Sequence, residues 1–176
     1  MSKKSSIYSK NLLHRKISIP IHLIGSNLIN IINMKLKKLF EGKCSKEGYI
    51  KNDSIQILTY SSGVLEDNLI LFDVSFECLI CRPVEGMRFR VIAKNVTKAG
   101  VRCETKEEIS PVVVFIARDH HFKSKDFANI KVDDEITVRV IGIRFELNDK
   151  YISVIAEFIP TRKVKKRPKI VISKKA

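Results

Sequence analysis

Hydrophobic and polar positions along the chain follow two periods, and the switch between them outlines the fold. Residues 12–24 alternate weakly, with Ile17, Ile19, Ile21 and Leu23 in step. That predicts a strand, which Pro20 confines to a sheet edge. Gly25-Ser26-Asn27 predicts a turn and a helix cap. Beyond it Leu28, Ile31, Ile32, Leu36, Leu39 and Phe40 recur at three- and four-residue spacing. This predicts an amphipathic helix of about four turns, ended by Gly42. Lys35, Lys37 and Lys38 lie on its polar face, where they suit the negative end of the helix dipole. Residues 43–60 predict one or two short strands interrupted at Gly48, with turns at Ser61-Ser62-Gly63 and Glu66-Asp67-Asn68. Residues 69–81 alternate well: Phe72, Val74, Phe76, Cys78 and Ile80 share one face, and Asp73, Ser75 and Glu77 the other. Pro83 and Gly86 mark a junction.

After Gly86 the period stays near two. Met87, Phe89, Val91 and Ala93 fall on one side of a strand, and Arg88, Arg90, Ile92 and Lys94 on the other. One side can pack a core; the other is mostly cationic, with Lys98 and Arg102 close behind. Five strands are predicted, at about 87–96, 100–105, 112–117, 135–145 and 150–159, with a polar connection over 118–134. Ile136, Val138 and Val140 predict an inward face, Gly142 a bulge or bend, and Asn148-Asp149 the last hairpin turn. Five strands with a loop or short helix between the third and fourth is the layout of an oligonucleotide-binding (OB) barrel. The predicted class is α+β: a strand-helix-antiparallel-sheet domain over 12–81, then an OB-fold barrel over 82–160, with basic tails at 1–11 and 161–176. No internal repeat is visible.

Charge sharpens this picture through its distribution. The 176 residues carry 33 Lys/Arg against 19 Asp/Glu, a formal net charge of +14. Residues 1–16 hold five of the cations and residues 161–176 eight, neither with an acid, so the middle is nearly neutral. The run from Thr161 (Arg-Lys-Val-Lys-Lys-Arg-Pro-Lys) fits a nucleic-acid contact or a nuclear import signal. Its plainer reading is a solvated tail that aids solubility. The 44% hydrophobic content is enough for a folded core, while 7% aromatics and no Trp weigh mildly against a base-stacking specialist. No apolar run approaches the roughly 20 residues that span a bilayer, and the N-terminus lacks a secretory pattern. An intracellular protein with four reduced cysteines is expected.

Candidate chemistry is sparse. Cys78-Leu79-Ile80-Cys81 has the spacing of a zinc half-site, but no second half accompanies it. Residues three apart in a strand also point to opposite faces, so buried thiols are expected there. Asp119-His120-His121 follows the third barrel strand, and no nucleophile or metal constellation assembles around it. These residues read as surface groups, and Arg118 and His121 stand where a single-stranded nucleic acid such as RNA, held on an OB barrel, could touch them. Glu107-Glu108 and Asp133-Asp134-Glu135 read as solvated turns. Phe115 sits in the third barrel strand, where OB barrels hold single strands, and alternation leaves open whether it faces core or solvent. No Gly-rich phosphate loop is present, and neither a catalytic site nor a cofactor is expected.

In order and spacing these segments resemble the larger stalk subunit of multi-subunit RNA polymerases, a family that includes the seventh subunit of eukaryotic RNA polymerase II and its archaeal counterpart. The resemblance runs from about Leu13 to Phe158. It is carried by Gly25-Ser26-Asn27-Leu28 through Leu39-Phe40-Glu41-Gly42-Lys43-Cys44, by Gly48-Tyr49-Ile50, and by Phe76 to Gly86 with Arg82-Pro83 and Glu85-Gly86. Asn95-Val96-Thr97-Lys98-Ala99-Gly100 resembles the first barrel turn. Asp133-Asp134-Glu135-Ile136 with Ile141-Gly142-Ile143-Arg144 resembles the fourth barrel strand. The resemblance implies an N-terminal tip domain that docks on the polymerase core and an OB domain that faces emerging RNA. It implies docking through the loop Glu41 to Gly48, here Gly42, Lys43, Gly48 and Tyr49, and often a smaller stalk partner subunit. Two departures stand out. Gly100 is followed by Val101, Arg102 and Cys103, where many RNA-binding barrels have an aromatic, which favours phosphate contact by Arg102 over stacking there. The lysine-rich extension past Pro160 also exceeds the family pattern. Abundant Ile, Lys and Asn, as AT-rich coding sequence produces, fit a version encoded by a large DNA virus; a divergent protist protein would look similar.

The leading expectation is therefore a non-catalytic subunit of a DNA-directed RNA polymerase, docking by its first ~80 residues and holding nascent single-stranded RNA through Arg88, Arg90, Lys94, Lys98 and Arg102. It would work in the nucleus or, if viral, in a cytoplasmic viral factory and the virion, with no membrane contact. A free-standing RNA-binding OB protein of translation or RNA decay is the alternative, against which the N-terminal docking module argues. A metal-dependent hydrolase built on His120 and His121 is the third and weakest reading.

Overall fold

The structure, a computed structural model, describes residues 7–25, 27–121 and 124–160. Ser26 of the predicted cap, most of the basic N-terminal tail and the whole basic C-terminal run lie outside them. The first module contains β1 (Tyr8–Pro20), α1 (Leu28–Phe40), β2 (Cys44–Ser45), β3 (Gly48–Ile50), β4 (Gln56–Tyr60), β5 (Val64–Glu66) and β6 (Leu69–Cys81). The strand β6 is its spine. β1 lines one edge over its whole length, from Tyr8 opposite Cys81 to Pro20 opposite Leu69. Along the other edge β3, β4 and β5 take turns, and β2 lies outside β3. Phe72, Val74, Phe76, Cys78 and Ile80 all point into one core, with Leu13, Ile17 and Ile19 of β1 and Ile32 and Leu36 of α1.

Local details differ from expectation for physical reasons. β1 begins at Tyr8, inside the predicted basic tail, because β6 offers a ladder long enough to extend it over residues of low strand propensity. It ends at Pro20, and Ile21–Leu23 form a 3-10 turn. Asn27 occupies the helix N-cap but its side chain caps no backbone N–H; it accepts from Asn30 Nδ2 at 3.4 Å instead. Leu39, in step with the apolar stripe, is exposed. Gly42 stands at φ 69°, the left-handed conformation that ends the helix as its position predicts.

The second module contains β7 (Arg88–Val96), β8 (Gly100–Glu104), β9 (Val112–Ala117), the short α2 (Lys125–Ala128), β10 (Glu135–Arg144) and β11 (Ile152–Ile159). These strands close a ring in the order β7-β8-β9-β11-β10. β9 and β11 run parallel and every other pair is antiparallel. That is an OB-fold barrel, with a bulge at Val140/Gly142 as Gly142 predicts. Phe89, Val91, Ala93, Ile136, Val138 and Val140 point inward, and Arg88, Arg90 and Lys94 outward.

The modules meet in a shared seam. Cys44, Tyr49 and Cys81 belong to the first sheet but pack into the barrel-side core. The Cys44 N–H donates to the Asp149 carbonyl at 2.8 Å, and the Asn148 N–H donates to the Cys44 carbonyl at 2.9 Å. β2 is thereby stitched to the turn between β10 and β11. Tyr8 adds a strap, its hydroxyl donating to Glu107 at 2.9 Å across the modules.

Candidate nucleic-acid interface

The barrel register sorts the predicted RNA contacts onto two different walls. Asn95 of β7 lies opposite Arg102 of β8, Arg102 opposite Phe115 of β9, and Phe115 opposite Ile155 of β11. All four are exposed, so one row of outward side chains crosses four strands. Phe115 therefore faces solvent, at 41% exposure. It also answers the missing aromatic after Gly100. A Cβ added to Gly100 would stand 3.0 Å from Phe115 Cζ and 2.2 Å from the Ile116 carbonyl oxygen. The ring thus lies beside the bare backbone of Gly100, supplied from the neighbouring strand. Lys98, in the turn before Gly100, is exposed and holds no ion pair among the described residues. A cation, a half-exposed ring and a second cation in sequence form a surface that can take a phosphate and a base.

Arg88 and Arg90 stand elsewhere. They face β10, where Arg88 lies opposite Arg139 and Arg90 opposite Thr137. The single cationic face expected of Arg88, Arg90, Lys94, Lys98 and Arg102 is therefore split, because β7 pairs with β10 along its first half and with β8 along its second. Acids also accompany the cations: Arg90 pairs with Glu135 at 3.7 Å, Lys94 with Asp133 at 3.2 Å and Arg102 with Glu104 at 3.1 Å.

Arg118 and His121 are built into the barrel. The Arg118 guanidinium donates to the Thr97 carbonyl at 3.0 Å and lies 5.8 Å from the centroid of the Phe127 ring, bracing the β7–β8 turn. His121 Nε2 accepts the Phe158 N–H at 3.0 Å, and its ring lies 4.9 Å from that of Phe127. Burial holds the His121 pKa below its ordinary value, against the pull of Glu157. Neither residue is the freely exposed contact that its place after the third barrel strand predicts.

The docking loop is also corrected. Tyr49 is 2% exposed, inside the seam, so it cannot present its ring to another protein. Gly48 is buried at φ 136°, and a Cβ there would sit 2.6 Å from the Cys81 carbonyl oxygen; it is glycine so that two strands can approach. Gly42 and Lys43 are half-exposed. Lys43 borders a groove of about 550 Å³ that Leu39, Lys46 and Leu147 also line, between the end of α1 and the β10–β11 turn. Sequence pattern missed a different surface. At the far end of the first sheet Ile21, Leu23, Val64, Leu65 and Leu69 are all exposed, and the Ile21 N–H donates to the Asn68 carbonyl to hold the two turns together. Alternation put Ile21 and Leu23 in a strand with Ile17 and Ile19, whereas they lie in the 3-10 turn after β1 and are exposed.

The cysteines are buried and free, their thiols pushed up by burial to about 11 for Cys78 and about 12 for Cys81. Cys78 faces the first core and Cys81 the seam, the opposed orientation that their spacing predicts. Among the described residues no group of three or more His, Cys, Asp or Glu gathers to hold a metal, and no helix is long and apolar enough to cross a membrane.

A closed five-stranded barrel with a cation-and-aromatic row, fused to a sheet-and-helix module, defines an α+β protein whose second module has the OB fold. Comparison with known proteins narrows this. No family model matches. A protein of Acanthamoeba polyphaga mimivirus named as a putative DNA-directed RNA polymerase subunit is 25% identical over 173 residues, covering 89% of this chain and 84% of its own. The DNA-directed RNA polymerase II subunit RPB7 of Glycine max is 26% identical over 155 residues, 78% of this chain and 85% of its own. DNA-directed RNA polymerase II subunit 7 of Arabidopsis thaliana is 26% identical over 152 residues, 77% and 84%. An uncharacterized protein of Methanocaldococcus jannaschii of solved structure overlays 45% of this chain and 96% of its own at a TM-score of 0.36 and 22% identity, too loose to bear on function. Over most of its length the chain is thus similar to seventh subunits of RNA polymerase II and to a viral protein named as a polymerase subunit.

Proposed function

We propose that this protein is a non-catalytic stalk subunit of a DNA-directed RNA polymerase that docks on the core enzyme with its first module and offers the barrel to nascent RNA. The observation that carries the reading is similarity to polymerase subunits over 77–89% of this chain and 84–85% of theirs. The exposed apolar side chains of Ile21, Leu23, Val64, Leu65 and Leu69, which crowd the far end of the first sheet on both of its faces, support docking there, because large apolar side chains gathered in water mark interaction sites. This cluster lies at the opposite end of β6 from the barrel, roughly 40 Å away at the rise of a strand. Such a separation lets one end grip the enzyme while the other reaches the transcript. Lys43, with Gly42 before it in the chain, makes a secondary contact at the groove, whose apolar Leu39 and Leu147 suit a smaller stalk partner. On the barrel, Lys98, Arg102 and Phe115 take the RNA, and Arg88 and Arg90 add a second cationic wall. The site of action is nuclear, or the viral factory and virion for a virus-encoded chain.

Purification of the tagged chain from its native source tests this. The large catalytic polymerase subunits are expected to co-purify in stoichiometric amount, and Val64→Asp with Leu65→Asp is expected to abolish their recovery while leaving the melting temperature within a few degrees. A chain that purifies alone, or a double variant that still brings down the enzyme, overturns the docking assignment.

A further inference from the structure

We propose that Glu104 sets how tightly the barrel holds RNA, by occupying Arg102 until a phosphate displaces it. This rests on the RNA reading above and goes beyond it by naming the group that limits affinity. Arg102 and Glu104 are two apart on β8, so both point to the outer face. Their side chains pair at 3.1 Å. Arg102 lies directly opposite Phe115, and Glu104 opposite Val113 two residues earlier on β9. The guanidinium best placed to meet the phosphate of a base stacked on Phe115 is therefore already held by a carboxylate.

Charge falls along the same strand. Lys98, with no ion pair among the described residues, stands in the turn before β8; Arg102 is shared, Glu104 is negative, and exposed Glu108 follows in the loop beyond. A ribose-phosphate strand laid along β8 is attracted at the turn, where Lys98 stands unpaired among the described residues, while the loop beyond β8 mixes exposed Lys106 with exposed Glu108. Contact at Arg102 exchanges one anion for another, so it adds little to the salt dependence of binding, which follows the cations newly neutralised. Arg102 is exposed and Glu104 partly so, and pairs that water reaches are weak enough to open. The face is thus suited to a transcript that must slide past it. Other outward cations on the barrel carry the same device, Arg139 with Glu157 at 2.5 Å and Arg144 with Glu146 at 3.3 Å, but Glu104 is the acid beside the ring.

The experiment titrates the full-length chain and three variants (Arg102→Ala, Glu104→Gln and the two combined) with a labelled, unstructured single-stranded RNA over a range of salt. Glu104→Gln is expected to bind roughly two- to fivefold tighter, with a salt slope steeper by about 0.7. Arg102→Ala is expected to bind more weakly, and Glu104→Gln to gain clearly less in that background than in wild type. If Arg102→Ala weakens binding but Glu104→Gln does not tighten it, the gate is refuted and the RNA face stands. A gain from Glu104→Gln that is as large without Arg102 also refutes it, since the acid then acts only as a general repulsive charge. Wild type that does not bind RNA, or Arg102→Ala that binds it unchanged, removes the RNA face and the gate together.

Discussion

His121 shows how a single side chain departs from its sequence context. Read as an exposed polar residue, it instead supplies the acceptor that the Phe158 N–H needs beyond the last β9–β11 pair, which is Phe115 with Ile155. That role requires a neutral imidazole with Nε2 unprotonated. Burial is the main cause that lowers its pKa, His120 adds to it, and Glu157 opposes it. The sign follows: the unfolded chain takes up the proton more readily than the folded one. The stability that neutral His121 contributes is complete above the ordinary value of 6.5 and is lost as pH falls through the lower folded value. Denaturant melts from about pH 7.5 down to about 5 are expected to show wild type losing stability faster than His121→Gln, whose amide oxygen accepts at every pH. Parallel curves would show that the histidine does not govern this loss. The cysteines were legible at this scale, because opposed faces at a spacing of three follow from strand geometry alone. The burial of Tyr49 was not, since its cover comes from the barrel.

At the scale of elements, helix and strands were readable where one face meets a core and the other meets water. Hydrophobic period marked α1, β6 and the five barrel strands to within a few residues, because each buries an alternating or 3.6-fold stripe. Element ends were less legible, since partners decide them: β6 draws β1 out to Tyr8. β1 pairs on one side only, and side chains serve some of its backbone acceptors: Lys35 Nζ donates to the Ser18 carbonyl and Arg15 to that of His14. Such partners blunt an edge that could otherwise recruit a stray strand. The contact of β8 with β9 is equally specific. Gly100→Ala drives a Cβ to 2.2 Å from a backbone oxygen that cannot turn aside. It is expected to lower stability by about 1–3 kcal/mol, read as a lower urea midpoint at unchanged m-value. A midpoint equal to wild type would mean that the two strands separate more freely than their packing implies.

For the whole molecule, the important feature is that two cores share one seam. Separate modules joined near Pro83 would swing about their link. Here Tyr49 and Cys81 extend the barrel-side core into the first sheet, and paired backbone bonds tie Cys44 to the Asn148–Asp149 turn. The first module therefore fixes where the barrel's row of Arg102 and Phe115 points. Tyr49→Ala is expected to cost about 3–5 kcal/mol, as removal of a large buried aromatic does, and to loosen the modules against each other. Thermal unfolding followed separately in the two modules checks this. The variant should separate transitions that coincide in wild type, and a single transition at the wild-type temperature would show that the seam carries no coupling.

The order of elements, the barrel layout and the polymerase kinship were written in local pattern, because hydrophobic period and turn residues act over a few positions. Which cations share a wall was decided only by tertiary register. The first half of β7 lies against β10 and the second half against β8, so neighbours in sequence serve different surfaces. The acids beside those cations, the ring of Phe115 over Gly100 and the exposed apolar end likewise arise from segments distant in the chain. Their positions depend on how strands pair and cores close, which no local run of residues encodes.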